Sequence, residues 1–258
     1  ENNQTVYIVG GYVRDLLMQR KAPTDIDFVT EQSGIELAKE VGKELGDLKV
    51  SVFKTYGTAM IKYQDLDLEF VGARKESYSE DSRKPAVETG TLEDDQKRRD
   101  FSVNALAISL NAESFGELID PFNGREDMQN KILRTPLEPA QTYSDDPLRM
   151  MRAIRFASVL HFKIEKNSLE AIKQEAERIK IVSMERIMVE FNKIMLSERP
   201  SKGLKLLEET GLLSYILPEL IALKGIEDID GQTHKDNFYH TLEVVDNIAQ
   251  NTDKLWLR

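Results

Sequence analysis

The sequence has 258 residues, 40% hydrophobic and 31% charged, enough to bury a core in one large domain or two ordinary ones. Its 35 Lys and Arg face 45 Asp and Glu, and the net charge of −10 argues against unselective electrostatic attachment to nucleic acid or anionic lipid. The absence of cysteine excludes disulfides and a thiol nucleophile and favours a reducing cytoplasm, and no apolar run is long enough to predict a membrane span.

The first half of the chain predicts a sheet. β-Branched and aromatic runs separated by turn residues predict strands at 6–9, 26–29, 58–63, 66–71 and 105–110. Residues 73–97 form one long polar segment without periodicity, which predicts a loop that is either functional or disordered. We therefore expect a mixed-sheet domain over residues 1–135.

The second half predicts helices. Apolar residues recur at helical spacing in the segments 142–160, 167–180, 183–197, 201–210 and 236–250. We expect a helical region at 136–225 and the start of a further helical domain at 226–258. Residues 145–205 hold 13 basic and nine acidic side chains, a local excess of positive charge that suits an RNA backbone.

The first predicted strand ends in two glycines. Gly10 and Gly11 open a predicted helix that carries Arg14 one turn in. A glycine turn at a helix start presents backbone N–H groups to a phosphate, and an arginine adds a charged contact to it. The alternative is a tight connection that only requires a positive φ.

The next strand carries two carboxylates. Asp25 and Asp27 are two residues apart in an apolar strand and therefore share one face. Carboxylates that close together repel unless a cation such as Mg²⁺ neutralises them. Glu69, in a later strand, offers a third carboxylate. The alternative for each is a solvent-facing strand position.

These features occur in the order found in a known family. The sequence resembles the class II tRNA nucleotidyltransferases and bacterial poly(A) polymerases. The resemblance continues through Arg98-Arg99-Asp100-Phe101-Ser102-Val103-Asn104-Ala105, similar to the family's RRDFTxNA motif with Ser102 in place of Thr, and through the blocks Asp120 to Gly124 and Arg134, Asp145 to Phe156, and Glu185 to Glu190.

This resemblance implies an α+β architecture. A polymerase β-like nucleotidyltransferase head with a mixed sheet is followed by all-α neck and body segments. The implied reaction is the template-independent addition of CCA, or of its terminal A, to tRNA 3′ ends from CTP and ATP. The implied partners are the 3′ end and acceptor region of tRNA and the nucleoside triphosphates, with no membrane.

The resemblance also implies roles for the site residues. Asp25 and Asp27 would hold two Mg²⁺ ions, and Glu69 would be a supporting catalytic carboxylate. The remaining head residues implied to bind nucleotide are Gly10, Gly11, Arg14, Arg99, Asp100 and Asn104. The alternative for Arg99 and Asp100 is a buried ion pair that ties a helix to the sheet.

Two residues of the second half fit base selection. Asp146 and Arg149 are three apart and are expected to share a helix face. A carboxylate that accepts from the exocyclic amine and a guanidinium that donates to the ring nitrogen select cytosine and adenine together. The family's EDxxR motif matches here with Asp145 in place of Glu. Arg152 and Arg155 continue the same helix face and are expected to contact the triphosphate or the RNA end. The alternative is an arginine-rich helix face exposed to solvent.

Other functions share parts of this pattern. A poly(A) polymerase has nearly the same motifs, a non-catalytic RNA-binding relative keeps the fold, and a small-molecule nucleotidyltransferase does not need Asp146 and Arg149. Members of the resembled family that add only CC lack or alter a flexible loop in the 73–97 region, so the resemblance implies that a segment of this length favours an enzyme able to add A. His234 to Val245 resembles the opening helix of an HD-type phosphohydrolase domain, in which His240 would be a metal ligand, whereas His161 is expected to be a packing or turn residue.

Overall fold

The structure, a computed structural model, describes residues 4–21, 23–79, 82–225, 228–229, 232–233 and 236–258. The chain forms two compact units. Unit 1 comprises Glu1–Asn130 and Thr135–Leu137, and unit 2 comprises Lys131–Arg134 and Glu138–Arg258. Within the described ranges, no helix has the length and apolar character needed to cross a membrane.

Unit 1 is built on a mixed sheet. Its strands are β1 (Val6–Val9), β2 (Asp25–Thr30), β3 (Val50–Phe53), β4 (Thr58–Tyr63), β5 (Leu66–Gly72), β6 (Arg74–Ser79), β7 (Ser82–Thr89), β8 (Ala107–Ser109) and β9 (Leu118–Ile119). Its α-helices are α1 (Gly11–Leu17), α2 (Gly34–Glu44), α3 (Leu92–Lys97) and α4 (Gly124–Asn130). Seven strands form one sheet in the order β3-β4-β5-β2-β1-β8-β9. Strands β2 and β5 are parallel, and the other neighbours in this sheet are antiparallel.

Alternation along the central strands separates the apolar face that packs on α2 from an opposite face that carries carboxylates as well as a second buried apolar cluster. Ile26 on β2 and Leu68 and Phe70 on β5 pack with Leu37 and Ala38 of α2 in one buried cluster. Because successive strand residues point to opposite faces, the intervening carboxylates lie on the face away from α2. The predicted strands at 6–9, 26–29, 58–63 and 66–71 are confirmed, and the one at 105–110 shortens to β8.

The prediction of a long loop at 73–97 is wrong. Strands β6 and β7 form an antiparallel two-stranded ribbon, and α3 follows it. A ribbon pairs its own backbone groups, so it requires no apolar face that a hydropathy pattern would reveal. Helix α3 begins with a capping box in which Thr91 and Asp94 bond each other's backbone N–H groups.

Unit 2 is helical apart from strand pairs two residues long. Its strands are β10 (Ile132–Leu133), β11 (Lys163–Ile164), β12 (Asp228–Ile229) and β13 (Gln232–Thr233), and its α-helices are α5 (Pro139–Asp145), α6 (Leu148–Val159), α7 (Lys166–Glu175), α8 (Met184–Met195), α9 (Pro200–Glu209), α10 (Leu213–Ile216), α11 (Pro218–Ile221) and α12 (Asn237–Ala249). The predicted helix at 142–160 divides between α5 and α6, because Pro147 disfavours the helical conformation of Asp146 before it. Each of the other four predicted helical segments overlaps one of these helices.

Candidate active site

Four carboxylates lie side by side on the face of the sheet away from α2. The parallel register of β2 and β5 places Asp27 opposite Glu69 and Asp25 opposite Asp67. The structure therefore brings together the three carboxylates expected from the sequence. Asp67 is an addition, although its alternation with Glu69 along β5 was a readable signal.

The carboxylates repel one another. Burial raises the pKa of Asp27; Arg99 lowers it and Asp25 raises it again, and the net shift is upward. Burial followed by repulsion from Asp27 also raises the pKa of Glu69, against the attraction of Arg74. A raised pKa means that the ionised carboxylates are disfavoured here, so a bound cation would relieve the repulsion.

This arrangement fits an ion completed by substrate rather than one enclosed by protein. Among the described residues, no group of three His, Cys, Asp or Glu side chains is placed to hold a metal ion. Mg²⁺ in phosphoryl-transfer enzymes usually takes one or two carboxylates and fills its remaining positions with water and phosphate oxygens. The pair Asp25 and Asp27 meets that requirement.

The glycine turn lies directly against the carboxylates. Gly10 adopts φ 77° and ψ −139° and precedes α1. A Cβ at Gly10 would stand 2.9 Å from Nη1 of Arg99 and 3.4 Å from Oδ2 of Asp27. The turn thus brings the buried Gly10, whose backbone N–H donates to the carbonyl of Leu106 at 3.2 Å, close to Arg99 and Asp27. A phosphate contact at this turn stays a prediction.

We expect Gly10→Ala to lower the free energy of unfolding by about 2–3 kcal/mol, because it adds a contact with Arg99 to an unfavourable backbone conformation. Gly116→Ala is the matched control, since Gly116 also has a positive φ but a Cβ there would meet nothing within 4 Å. It should lose only about 1 kcal/mol. Urea unfolding of both variants measures the difference in unfolding free energy. Equal losses in the two variants would show that the contact with Arg99 does not destabilise Gly10→Ala.

Arg14 joins α1 to the segment that follows α3. Its Nη1 donates to Oδ1 of Asn104 at 2.7 Å, while Nε and Nη2 donate to the two oxygens of Asp15 at 2.9 and 2.8 Å. Asn104 in turn donates to Oδ1 of Asp100 at 2.9 Å, which also accepts from the backbone N–H of Phe101. The network holds Asn104 and Asp100 in place. Nucleotide contacts by Arg14, Asn104 and Asp100 remain predictions.

A buried carboxylate that sequence reasoning missed orients both arginines of the RRD segment. Asp95 on α3 is fully buried and accepts from Nε of Arg98 at 3.0 Å and from Nε and Nη2 of Arg99 at 3.1 and 2.9 Å. Burial alone would raise the pKa of Asp95, but Arg99 and Arg98 outweigh it and the net shift is downward. The ion pair of Arg99 is therefore with Asp95, not with Asp100.

In unit 2, the expectation that Asp146 and Arg149 share one helix is wrong, because Asp146 lies between α5 and α6 in extended conformation. Its Oδ1 accepts from the backbone N–H of Leu148 at 3.2 Å, and its carbonyl accepts from that of Arg149 at 2.9 Å. Nη2 of Arg186, on α8, stands 4.0 Å from Oδ2 of Asp146. The backbone bond nevertheless keeps Asp146 next to Arg149 at the first turn of α6.

The two later arginines of α6 flank a buried acid. Nε of Arg155 lies 3.0 Å and Nη1 of Arg152 lies 4.0 Å from the carboxylate of Glu190 on α8. The Arg155 guanidinium also stacks 3.9 Å from the centroid of the Phe156 ring. These contacts tie α6 to α8, and binding of triphosphate or RNA by this pair stays a prediction.

The two described histidines, His161 and His240, belong to unit 2. His161 has φ 58° in the turn after α6, and its Nε2 lies 3.2 Å from Glu198. His240 is exposed on α12, and its role as a metal ligand is untested by this structure. His234 is outside the described residues.

Comparison with known proteins identifies two parts of the chain. Residues 6–134 match the poly A polymerase head domain, and residues 161–224 match the probable RNA and SrmB binding site of polymerase A. The A-adding tRNA nucleotidyltransferase of Aquifex aeolicus is 41% identical over 78% of this chain and 24% of its own length. The CCA-adding enzyme of Anoxybacillus flavithermus is 39% identical over 84% of this chain and 53% of its own length.

Solved structures of similar proteins agree with these sequence matches. A tRNA-processing enzyme with CTP superimposes with a TM-score of 0.78 at 33% identity, over 98% of this chain and 65% of the other. A tRNA nucleotidyltransferase complexed with a primer tRNA and an incoming ATP analog gives 0.73 at 34% identity, over 85% of this chain and 64% of the other.

The matches cover only part of each relative. The chain spans about half the length of the CCA-adding relative and about a quarter of the A-adding one. The head match covers half of the sequence, and unit 1 has the polymerase β-like nucleotidyltransferase fold. The chain therefore belongs to the poly A polymerase head domain family.

Proposed function

We propose that the protein is a tRNA nucleotidyltransferase that adds CCA, or its terminal A, to tRNA 3′ ends without a nucleic-acid template. The observation that carries the proposal is the row of carboxylates on β2 and β5 beside the Gly10 turn and Arg99. The tRNA 3′ oxygen forms a bond to the α-phosphorus of CTP or ATP. The bond from that phosphorus to the β-phosphate oxygen breaks, and pyrophosphate leaves. We expect a protein with this activity in the cytoplasm.

Asp25 and Asp27 would hold two Mg²⁺ ions, with Glu69 beside them as the supporting carboxylate. Bound Mg²⁺ supplies charge neutralisation at the triphosphate and favours ionisation of the attacking hydroxyl. The chain supplies the positioning: Asp95 fixes Arg99 next to the Gly10 turn, and Arg14 fixes Asn104 and Asp100. Arg99 would then meet the triphosphate, and Asp100 the ribose hydroxyls.

Asp146 and Arg149 would read the base. Cytosine and adenine each present an amine donor beside a ring-nitrogen acceptor, whereas uracil and guanine present the reverse pattern. The wrong base would leave buried donors or acceptors unpaired, at about 1–3 kcal/mol for each group. Arg152 and Arg155 would add positive charge along α6 toward the triphosphate or the RNA end.

The decisive test supplies the protein and Mg²⁺ with tRNA transcripts that end before CCA, after C and after CC, and gives each nucleoside triphosphate separately and then together. Additions that stop at one complete CCA, or at the terminal A, establish the proposal and say which form of it holds. Long A tails on any RNA would instead establish a poly(A) polymerase. No transfer to any RNA would favour a non-catalytic RNA-binding relative.

Replacing Asp146 and Arg149 together by Ala should relax base choice. We expect the preference for CTP and ATP over UTP and GTP to fall by about 10- to 100-fold, the equivalent of the unpaired groups that the wrong base leaves. Single-turnover incorporation of each nucleotide measures the preference. Glu177 and Lys180, an exposed ion pair of unit 2 with the same spacing, provide the matched double-Ala control. Unchanged C and A selectivity would refute the role in base reading.

A further inference from the structure

A shallow cavity opens on the carboxylate-bearing face of the unit 1 sheet, next to the proposed catalytic carboxylates. It has a volume of about 440 Å³ and is lined by Phe53, Thr58, Met60, Glu69 and Arg74. The strand registers place Met60 opposite Glu69, and Phe53 opposite Thr58. The cavity therefore begins at Glu69 and extends over β4 toward the edge strand β3.

The strand order assigns the two substrates to different sides of the carboxylates. On one side of β2 lies β1, with the Gly10 turn and Arg99, where the incoming triphosphate is proposed to bind. In phosphoryl transfer the attacking and leaving oxygens stand roughly in line on opposite sides of the phosphorus. The attacking 3′ hydroxyl must then approach from the other side, which is the side of β5, β4 and β3.

The lining has the chemistry of a single-stranded RNA site. Phe53 is 48% exposed at the end of an edge strand, so its ring is available for stacking. Proteins bind unpaired nucleotides by stacking the base on an aromatic ring and meeting the phosphate with a cation. Arg74 lines the same cavity as Glu69 and provides positive charge there.

We propose that this cavity is the subsite for the terminal nucleotide of the acceptor RNA, with its base stacked on Phe53 and its phosphate near Arg74. The inference rests on the proposed function and goes beyond it in naming where the acceptor end lies. Stacking tolerates any terminal base, since every base has a π face. The same subsite thus accepts an acceptor ending in C, or in the base that precedes CCA.

The test measures Phe53→Ala against two acceptors, one with an intact terminal base and one with an abasic terminal ribose. We expect KM for the intact acceptor to rise by about 5- to 100-fold, while KM for CTP and ATP stays within about twofold. With the abasic acceptor, Phe53→Ala and the unmodified protein should have the same KM. Phe53→Tyr should retain the KM, and Phe53→Leu, which keeps bulk without a ring, should not.

Phe115→Ala is the matched control, because Phe115 is 74% exposed in the turn before β9 of the same unit. A rise in KM for CTP or ATP alone would assign the cavity to the incoming nucleotide and overturn the inference. An unchanged KM for the intact acceptor would also overturn it while leaving transfer itself established. If the unmodified protein transfers to no RNA, the proposed function fails and the inference fails with it.

Discussion

Asp27→Asn should abolish nucleotide transfer and at the same time stabilise the protein. Transfer should fall by about 10³-fold or more, since a lost metal ligand removes several kcal/mol of transition-state stabilisation. Stability should rise because burial and repulsion from Asp25 disfavour the ionised carboxylate of Asp27. The isosteric amide removes that charge, and we expect Tm to increase by ~2 °C, equivalent to roughly 0.5–1 kcal/mol.

The raised pKa fixes the sign of this effect. The ionised carboxylate costs folding free energy above the folded pKa, and this cost disappears once the pH is below the ordinary pKa of an aspartate. The gain in Tm should therefore be seen at neutral pH and not in acid. Added Mg²⁺ should raise the Tm of the unmodified protein and leave that of Asp27→Asn unchanged.

Asp65→Asn is the control for removing one negative charge, because Asp65 is exposed in the turn between β4 and β5. It should keep full transfer and the Tm response to Mg²⁺. Primer-extension assays and thermal unfolding measure both quantities. Retained transfer in Asp27→Asn would refute the assignment of Asp27 as a metal ligand, and a lower Tm at neutral pH would refute the electrostatic account.

The carboxylates on each strand could be predicted because alternation alone places residues two apart on one face. The neighbour relation of β2 and β5 could not, because it depends on which strands pair across the sheet. Without that register, Glu69 is an ordinary strand position, and the alternation of Asp67 with Glu69 shows only that the two share a face of β5. The sequence pattern therefore identifies the carboxylates within each strand. The strand order and register of the sheet are needed to show that the carboxylates of β2 and β5 are neighbours.

The contacts of the arginines were harder to predict. In sequence, Arg14, Arg99 and Arg155 all read as partners of phosphate. In the structure each one also bonds a protein carboxylate or amide: Arg14 pairs with Asp15 and Asn104, Arg99 with Asp95, and Arg155 with Glu190. Burying an arginine requires such a partner, and the identity of the partner follows from tertiary packing.

Helix α3 shows why Asp95 was missed. Its six residues are too few to display a helical apolar period, and the polar ribbon before it gives no alternating apolar pattern. The readable signals were the Thr91 and Asp94 capping pattern and the spacing of Asp95 to Arg98 and Arg99. These pairs lie at i,i+3 and i,i+4, and they form only if the segment is helical.

Asp95→Asn should produce the largest loss of stability among these variants. Its carboxylate is fully buried, whereas the side chains of Arg98 and Arg99 keep 18% and 16% of their surface exposed. Removing one partner of a buried ion pair costs about 3–5 kcal/mol, and the partial exposure of the arginines favours the lower end, ~3 kcal/mol. For a protein of this size, Tm should fall by about 6–12 °C.

The loss of stability in Asp95→Asn should be larger at neutral pH than in acid. Because the folded pKa of Asp95 is lowered, its contribution to stability is present above the unfolded pKa of about 3.9 and is lost as the pH falls through the folded value. The difference in unfolding free energy between the two proteins should therefore be full at pH 7 and shrink below about pH 4. Urea unfolding at a series of pH values measures it.

Asp95 is also a positioning residue, since it holds Arg99 against the Gly10 turn without reaching that turn itself. In Asp95→Asn, KM for CTP and ATP should rise, while KM for the acceptor RNA should not. Asp94→Asn, which keeps a side chain able to cap α3, is the neighbouring control and should change neither stability nor KM by more than a small factor. A stability loss equal to that of the control, or an unchanged KM for both nucleotides, would show that Arg99 does not depend on Asp95.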